Sequence, residues 1–263
     1  MTDAKNWDVD TAADVLLAAE KQRRDRGPIT AEWPGLDLPT AYQVQRQLID
    51  KKIAAGETVI GVKLGLTSRA KQERMGIDSP LTAVLTDGYR LEADVPLRLD
   101  EFIHPRVEPE IVFVMRKRLE GPGVTAATAL DAVESVHAGL EVIDSRYIDF
   151  KFTLADVVAD NASSARFVVS ATAVSPKSLD LALEACALSI NGTVIDTATG
   201  AAVQGHPAEA LALAANDLAQ RGEAIEPGQI VLTGGLTDAV FVHRGDQIGA
   251  KFSTLGSVSL TAV

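Results

Sequence analysis

The sequence contains one cysteine, no excess of positive charge and no long apolar segment. The single cysteine, Cys186, excludes an internal disulfide and a metal site built from cysteine ligands. The formal net charge of −11 argues against a nucleic-acid-binding protein, which usually carries a basic patch. No apolar run reaches the roughly 18 residues of a membrane-spanning helix. The first residues also lack the basic start and apolar run of a signal peptide, so we expect a cytoplasmic protein.

Several common catalytic motifs are absent as well. No serine lies in the G-x-S-x-G pattern of a nucleophile elbow. The segment LTGGL has paired glycines, but it lacks the pattern of a phosphate-binding loop. No two histidines have the spacing of zinc ligands. A serine hydrolase, a nucleotide site and a zinc centre are therefore all disfavoured.

Hydrophobic patterning divides the chain into a small helical part and a large β-rich part. Amphipathic helices are predicted at about residues 11–26 and 40–55, the second with Thr40 as its N-cap. Later segments are short, β-branched runs separated by Gly, Pro and Asp, and SINGTVI predicts an Asn-Gly hairpin. Two further helices are predicted in TAATALDAVESVHA and PAEALALAANDLAQRG. Because strands and helices do not alternate regularly, we predict an α+β fold with a mixed sheet, with residues 1–56 helical and 57–263 forming the β domain.

The segment HPRVEPEIVFVM places two glutamates in a strand that is otherwise built for burial. Glu108 and Glu110 are two residues apart, so their side chains project from the same face of the sheet. A third glutamate, Glu141, lies between apolar residues in the strand candidate GLEVIDSRY. Three carboxylates suit a hard divalent cation, Mg²⁺ or Mn²⁺. The alternative is an edge strand whose two glutamates face solvent, with Glu141 paired to an arginine.

Two other polar groups stand out. Lys63 lies in GVKLGLTS between apolar neighbours and close to two glycines, where a lysine can act as an acid, a base or an oxyanion stabiliser. The alternative is a lysine that extends to solvent at the strand end. DVVADNASSARF contains Asp156, Ser163, Ser164 and Arg166, which could bind a small oxygen-rich ligand or simply form a polar turn.

These segments together resemble a known family. GVKLGLTS, MGIDSP, HPRVEPEI, LEVIDSRY, VADNASS, GHP, LTGG and LGSVS occur in the order found in the fumarylacetoacetate hydrolase superfamily. The likeness is to its branch of 2-oxo-acid lyases from the meta-cleavage degradation of aromatic compounds, and it extends from the second helix to the C-terminus. It implies a β-rich roll around a metal ion, like the C-terminal domain of that family, with helices outside.

The resemblance also implies roles for individual residues. Glu108, Glu110 and Glu141 would bind Mg²⁺ or Mn²⁺, and Lys63 would lie at the active site. The further candidates are Asp156 for catalysis and, for substrate binding, Leu66, Arg146, Ser163, Ser164 and Arg166.

The implied reaction is the decarboxylation of 2-oxo-3-hexenedioate, because EVIDSRYIDFKF, NASSARF and TGGLTDAV resemble the decarboxylase type of the branch. The alternative is hydration of 2-oxopent-4-enoate, and a further alternative is a non-catalytic subunit of a partner enzyme. The resemblance implies a small-molecule 2-oxo acid substrate, a homo-oligomer and association with the other lyase of the pathway. The loop near RMGIDSP is a candidate lid.

Overall fold

The computed structural model describes residues 6–69, 72–73, 76–77 and 80–263. Its α-helices are α1 (Val9–Gln22), α2 (Ile29–Glu32), α3 (Leu38–Ala54), α4 (Ala126–Asp131), α5 (Leu154–Ala159) and α6 (Pro207–Gln220). Its strands are β1 (Val59–Gly65), β2 (Leu81–Thr86), β3 (Arg106–Met115), β4 (Val133–Ile143), β5 (Ser164–Val169), β6 (Ala185–Ile190), β7 (Thr193–Thr199), β8 (Ile230–Gly235), β9 (Val240–Phe241), β10 (Gln247–Phe252) and β11 (Ser257–Thr261). None of the described helices is both long enough and apolar enough to cross a membrane.

The two long N-terminal helices begin at aspartate caps. Asp8 accepts a hydrogen bond from the backbone N–H of Thr11, and Asp37 accepts one from that of Thr40. The prediction that Thr40 caps the second helix is therefore wrong. The helix begins earlier because Pro39 fits the first turn, where its missing N–H has no partner to lose. The apolar faces of α1, α3 and α5 pack together around Ala13, Leu16, Val44, Leu48 and Val158.

The segment TAATALDAVESVHA is helical only in its first half. Helix α4 ends at Asp131 and strand β4 begins at Val133, so the prediction of one continuous helix is wrong. Val133 and Val136 have the three-residue spacing of a helix face, which explains the prediction. Pairing with β3, which places Val136 opposite Phe113, overrides that local pattern.

A seven-stranded mixed sheet carries the site. Its strand order is β2-β1-β8-β3-β4-β5, with β9 beside β3. Strands β1 and β8 are parallel, and the other neighbouring pairs of this sheet are antiparallel. This sheet and the N-terminal helices confirm the predicted α+β class with a mixed, β-rich fold.

A second sheet, of order β11-β10-β6-β7, encloses the main core. Its β6–β7 hairpin turns at Asn191 and Gly192, whose φ angles of 53° and 79° are the positive values that a two-residue turn needs. The predicted Asn-Gly hairpin is thus confirmed. Ile111 and Leu188 are among the buried residues that join the two sheets. The glutamates of β3 alternate with these core residues, so they project from the opposite face of the first sheet.

Candidate metal centre and active site

Three glutamates converge on one face of the first sheet. The antiparallel register of β3 and β4 places Glu108 directly opposite Glu141, and Glu110 follows two residues later on the same face. One carboxylate oxygen from each residue lies within 4.8 Å of the others. Glu110 and Glu141 are buried, and Glu108 is partly buried. Strand pairing therefore forces together three like charges that the chain must neutralise.

The unpaired oxygens of this cluster indicate a cation. Oε2 of Glu110 accepts a hydrogen bond of 2.7 Å from the backbone N–H of Gly234. Within the described part of the chain, Oε1 of Glu110 and Oε2 of Glu141 are buried without a hydrogen-bond donor. Burial, followed by the charges of Glu141 and Glu108, raises the pKa of Glu110 well above its ordinary value. An all-oxygen donor set with unpaired buried atoms fits Mg²⁺ or Mn²⁺.

Two glycines make room for the cluster. A Cβ at Gly235 would overlap the carboxylate of Glu108, and a Cβ at Gly234 would overlap the side chain of Thr67. Gly234 also has a φ of 110°, which disfavours any side chain at that position. The paired glycines of LTGGL thus serve the glutamate cluster directly.

Lys63 extends from β1 into the same cluster. Its Nζ lies 2.8 Å from Oε1 of Glu141 and donates a hydrogen bond of 2.8 Å to the carbonyl of Ala162. Lys63 is only 2% exposed, so a lysine that extends to solvent is excluded. Because an ammonium group has three donors, the third N–H remains for the cavity that Lys63 lines.

The turn that receives Lys63 has an uncommon backbone. Asn161, Ala162 and Ser163 have successive φ angles of 47°, 50° and 59°, which non-glycine residues rarely adopt. The side chain of Asn161 holds this turn by bonding both the N–H and the carbonyl of Val84 on β2. Three left-handed residues in a row cost free energy, which is typical of backbone held in place for a function.

A cavity of about 580 Å³ opens beside the glutamates. The predicted residues Lys63, Leu66, Glu108 and Ser163 all line it. Ser163 has its hydroxyl 3.4 Å from Asp160, so it can still bond a ligand. The remaining lining residues include Gly65, Leu81, Arg106, Ile143, Phe150, Phe152, Val157, Asp238 and Ala239.

Two predicted site residues are buried away from this cavity. Asp156 is the N3 residue of α5, and it accepts hydrogen bonds from the N–H and hydroxyl groups of Thr30 and Thr153. Arg146 is 2% exposed, forms an ion pair with Asp160 and donates to backbone carbonyls on both sides of the turn. The structure therefore places Asp156 in the support of helix α5 and Arg146 in the support of the 161–163 turn.

Two other predicted residues also point elsewhere. Ser164 is buried and donates its hydroxyl hydrogen to the carbonyl of Asn161. Arg166 pairs with Glu101 at 3.0 Å and lies over the ring of Phe102, in a different cavity. The predicted lid, residues 74–80, lies mostly outside the described residues, since positions 74, 75, 78 and 79 are not described.

Sequence reasoning did not single out Arg106. It is the first residue of β3 and lines the cavity. The signal was available, because Arg106 lies two residues before Glu108 and so shares its face of the strand.

Comparisons with known proteins identify relatives of this chain. Residues 81–263 match the family model of the fumarylacetoacetate (FAA) hydrolase C-terminal domain. The chain is 42% identical to 4-oxalocrotonate decarboxylase of Pseudomonas sp. (strain CF600), over 94% of both chains. It is 37% identical to 2-hydroxyhexa-2,4-dienoate hydratase of Comamonas testosteroni, over 96% of both. The structure of 4-oxalocrotonate decarboxylase from Pseudomonas putida G7, complexed with magnesium and adipate, superposes with a TM-score of 0.95 at 39% identity over 97% of both chains.

Proposed function

The chain belongs to the fumarylacetoacetate hydrolase family, and on that premise we propose that it is a lyase that decarboxylates 2-oxo-3-hexenedioate (4-oxalocrotonate) to 2-hydroxypenta-2,4-dienoate. The observation that carries the proposal is the match over 97% of both chains to a decarboxylase whose structure contains magnesium. The cluster of three glutamates and Lys63 supports it, because a metal ion held there and the lysine can stabilise the negative charge that forms on the substrate during decarboxylation.

The glutamate cluster supplies the metal site. Glu108, Glu110 and Glu141 would hold one Mg²⁺ or Mn²⁺, whose charge would draw electrons toward the C2 oxygen of the substrate. The same charge would neutralise the three carboxylates, which otherwise repel one another in a buried place.

The reaction needs an electron sink and a proton. Breaking the C5–C6 bond releases CO₂, and the bonding pair forms a C4–C5 double bond. The C3–C4 pair then forms the C2–C3 double bond, and the C2 carbonyl oxygen takes up the negative charge. The substrate's own conjugated ketone is therefore the sink, so no pyridoxal or thiamine cofactor is needed.

Lys63 acts on the oxygen that gains this charge. Glu141 and the Ala162 carbonyl fix its Nζ, which leaves one N–H to stabilise the developing enolate and to supply its proton. A donor held before the reaction begins does not have to reorganise in the transition state. Leu66 and Ser163 line the same cavity and would position the 2-oxo acid end of the substrate.

Asp156, Arg146, Ser164 and Arg166 take indirect roles in this proposal. The first three hold helix α5 and the 161–163 turn in place. Arg166 faces another cavity, so it does not touch the substrate.

Hydration of 2-oxopent-4-enoate is the second candidate, because the hydratase of Comamonas testosteroni is 37% identical along nearly the whole chain.

The test of these functions uses metal-stripped protein with and without Mg²⁺ or Mn²⁺, offered 2-oxo-3-hexenedioate and, separately, 2-hydroxypenta-2,4-dienoate. Metal-dependent CO₂ release from the first compound supports the proposal. Consumption of only the second compound, without CO₂, identifies a hydratase. Turnover of neither compound favours the non-catalytic subunit.

The proposal also covers the oligomeric state of the protein, its partner and its cellular compartment. We infer a cytoplasmic homo-oligomer that associates with the hydratase acting on its product. Light scattering of the purified chain, alone and mixed with that hydratase, measures both associations. A monomer that does not shift on mixing would contradict them.

A further inference from the structure

The cavity beside the glutamates is lined by an arginine whose Nε is buried without an acceptor among the described residues. Arg106 is partly buried at the start of β3. Among the described residues, no carboxylate, carbonyl or hydroxyl accepts a hydrogen bond from its side chain, and its Nε is buried without a partner. A guanidinium group has five N–H donors and is always charged. The Nε of Arg106 is buried without an acceptor, which costs free energy, so a ligand that supplies an acceptor would bind favourably there.

Two aromatic rings contact this guanidinium. Its central carbon lies 4.1 Å from the ring centroid of Phe150 and 4.2 Å from that of Phe241. Phe241 is brought there by strand β9, whose register places it opposite Arg106. Contact with an aromatic ring is made through the face of a guanidinium, so its N–H groups remain available to an acceptor. The edge of a fixed, planar guanidinium matches both oxygens of a carboxylate.

Other arginines of the region do not share this property. Arg146 is paired with Asp160, and Arg166 is paired with Glu101. The contrast matters because both were candidates for substrate binding. Arg106 instead combines a position in the cavity with a buried Nε for which the described residues provide no acceptor.

The position of Arg106 defines which part of a ligand it would meet. Arg106 and Glu108 project from the same face of β3, roughly 6.6 Å apart along the strand. A ligand whose 2-oxo acid end lies at the three glutamates would extend past Glu108 toward Arg106. A six-carbon dicarboxylate has a length comparable to this separation.

We propose that Arg106, in contact with Phe150 and Phe241, binds the distal carboxylate of the substrate and selects 2-oxo dicarboxylates over 2-oxo monocarboxylates. This inference rests on the proposed function, because it needs the 2-oxo acid end at the glutamates. It goes further by naming the residue that distinguishes a six-carbon dioate from a ligand with an apolar end.

The proposal predicts that substitution of Arg106 affects KM more than kcat. The distal carboxylate loses its charge as CO₂ forms, so its attraction to Arg106 weakens in the transition state. Arg106 therefore contributes to substrate binding more than to the chemical step. Arg106→Met should raise KM for 2-oxo-3-hexenedioate at least tenfold and change kcat by less than about threefold.

A matched pair of unreactive ligands isolates the distal carboxylate. 2-Oxoadipate and 2-oxohexanoate have the same six-carbon chain, and they differ only in a terminal carboxylate or methyl group. Calorimetry with Mg²⁺ present would measure both affinities in the wild type, Arg106→Met, Arg106→Lys and the control Arg166→Met. We expect the wild type and Arg166→Met to prefer 2-oxoadipate by about tenfold or more. Arg106→Met should reduce the preference below about threefold without weakening 2-oxohexanoate, and Arg106→Lys should retain part of it.

Two results would overturn the inference while leaving the proposed function intact. An unchanged preference in Arg106→Met would show that the distal carboxylate lies elsewhere. An equal loss of affinity for both ligands would show either that Arg106 binds the 2-oxo acid end or that it stabilises the fold. Thermal unfolding of the variant distinguishes these two explanations. If the wild type binds neither ligand in a metal-dependent way, the proposed function itself fails.

Discussion

Nζ of Lys63 lies 2.8 Å from Oε1 of Glu141, and both side chains are almost completely buried. The lysine therefore touches a carboxylate of the candidate metal cluster, and its chemistry depends on the cluster's position. Glu141 is brought there by β4 and Lys63 by β1, two strands that are not neighbours in the sheet.

Replacement of Lys63 by Met should separate chemistry from metal binding. The variant keeps the length of the side chain but removes the donor that stabilises the enolate oxygen, so kcat should fall by about 100-fold or more. Mn²⁺ affinity, measured by calorimetry, should fall less than tenfold, since the three glutamates remain. Equal losses of kcat and of Mn²⁺ affinity would assign Lys63 to the metal site alone.

Gly235→Ala should weaken metal binding through Glu108. The added methyl group would overlap the carboxylate of Glu108 and push it away from Glu110 and Glu141. We expect at least a tenfold loss of Mn²⁺ affinity, as for changes beside other metal ligands. Gly27→Ala is the matched control, because a Cβ there meets no atom within 4 Å. Wild-type affinity in Gly235→Ala would mean that Glu108 does not bind the ion.

The metal-free protein should become less stable as the pH rises. Burial and two neighbouring glutamates raise the pKa of Glu110 well above its ordinary value of 4.5. At pH values between 4.5 and the raised pKa, Glu110 keeps its proton in the folded state but loses it in the unfolded chain. The free energy of unfolding therefore falls with rising pH. Urea unfolding of metal-stripped wild type and Glu110→Gln between pH 5 and 8 measures this slope. The variant, which cannot ionise there, should show a smaller slope, and identical slopes would contradict the assignment.

Asp156→Ala should act on stability rather than on turnover. Asp156 accepts four hydrogen bonds that join α5 to Thr30 and Thr153, so its loss should reduce the free energy of unfolding by about 2–4 kcal/mol. At a temperature where the variant is folded, kcat should remain within about threefold of wild type. Thermal unfolding and the CO₂ assay together measure the two effects. A loss of kcat above 100-fold in folded protein would restore Asp156 as a catalytic residue.

Local sequence patterns predicted the parts of the fold that depend on neighbouring residues. The Asn191-Gly192 turn, the helix that begins at Pro207 and the shared face of Glu108 and Glu110 all follow from spacing of four residues or fewer. The start of β4 was missed, because pairing with β3 decides it and that pairing is not visible in the local pattern. The division at residue 56 stays a prediction.

Prediction of the site from the sequence was limited in the same way, because long-range contacts are not visible in local patterns. Spacing indicated which carboxylates share a face, but it could not show that Arg146 faces Asp160 or that Asp156 faces Thr30. These contacts join residues that are 14 and 126 positions apart in the chain, so local spacing does not reveal them. The face that Arg106 shares with Glu108 was visible in the sequence, but its contacts with Phe150 and Phe241, which lie far from it in the chain, were not.

The central claim is that Glu108, Glu110 and Glu141 hold one divalent ion on which decarboxylation depends. The most direct test titrates metal-stripped protein with Mn²⁺ and measures bound ion and the initial rate of CO₂ release from 2-oxo-3-hexenedioate in the same samples. The rate should rise in proportion to bound Mn²⁺ and level off at one ion per chain. Full CO₂ release without bound metal, or one bound ion per chain with no CO₂ release, would contradict the account.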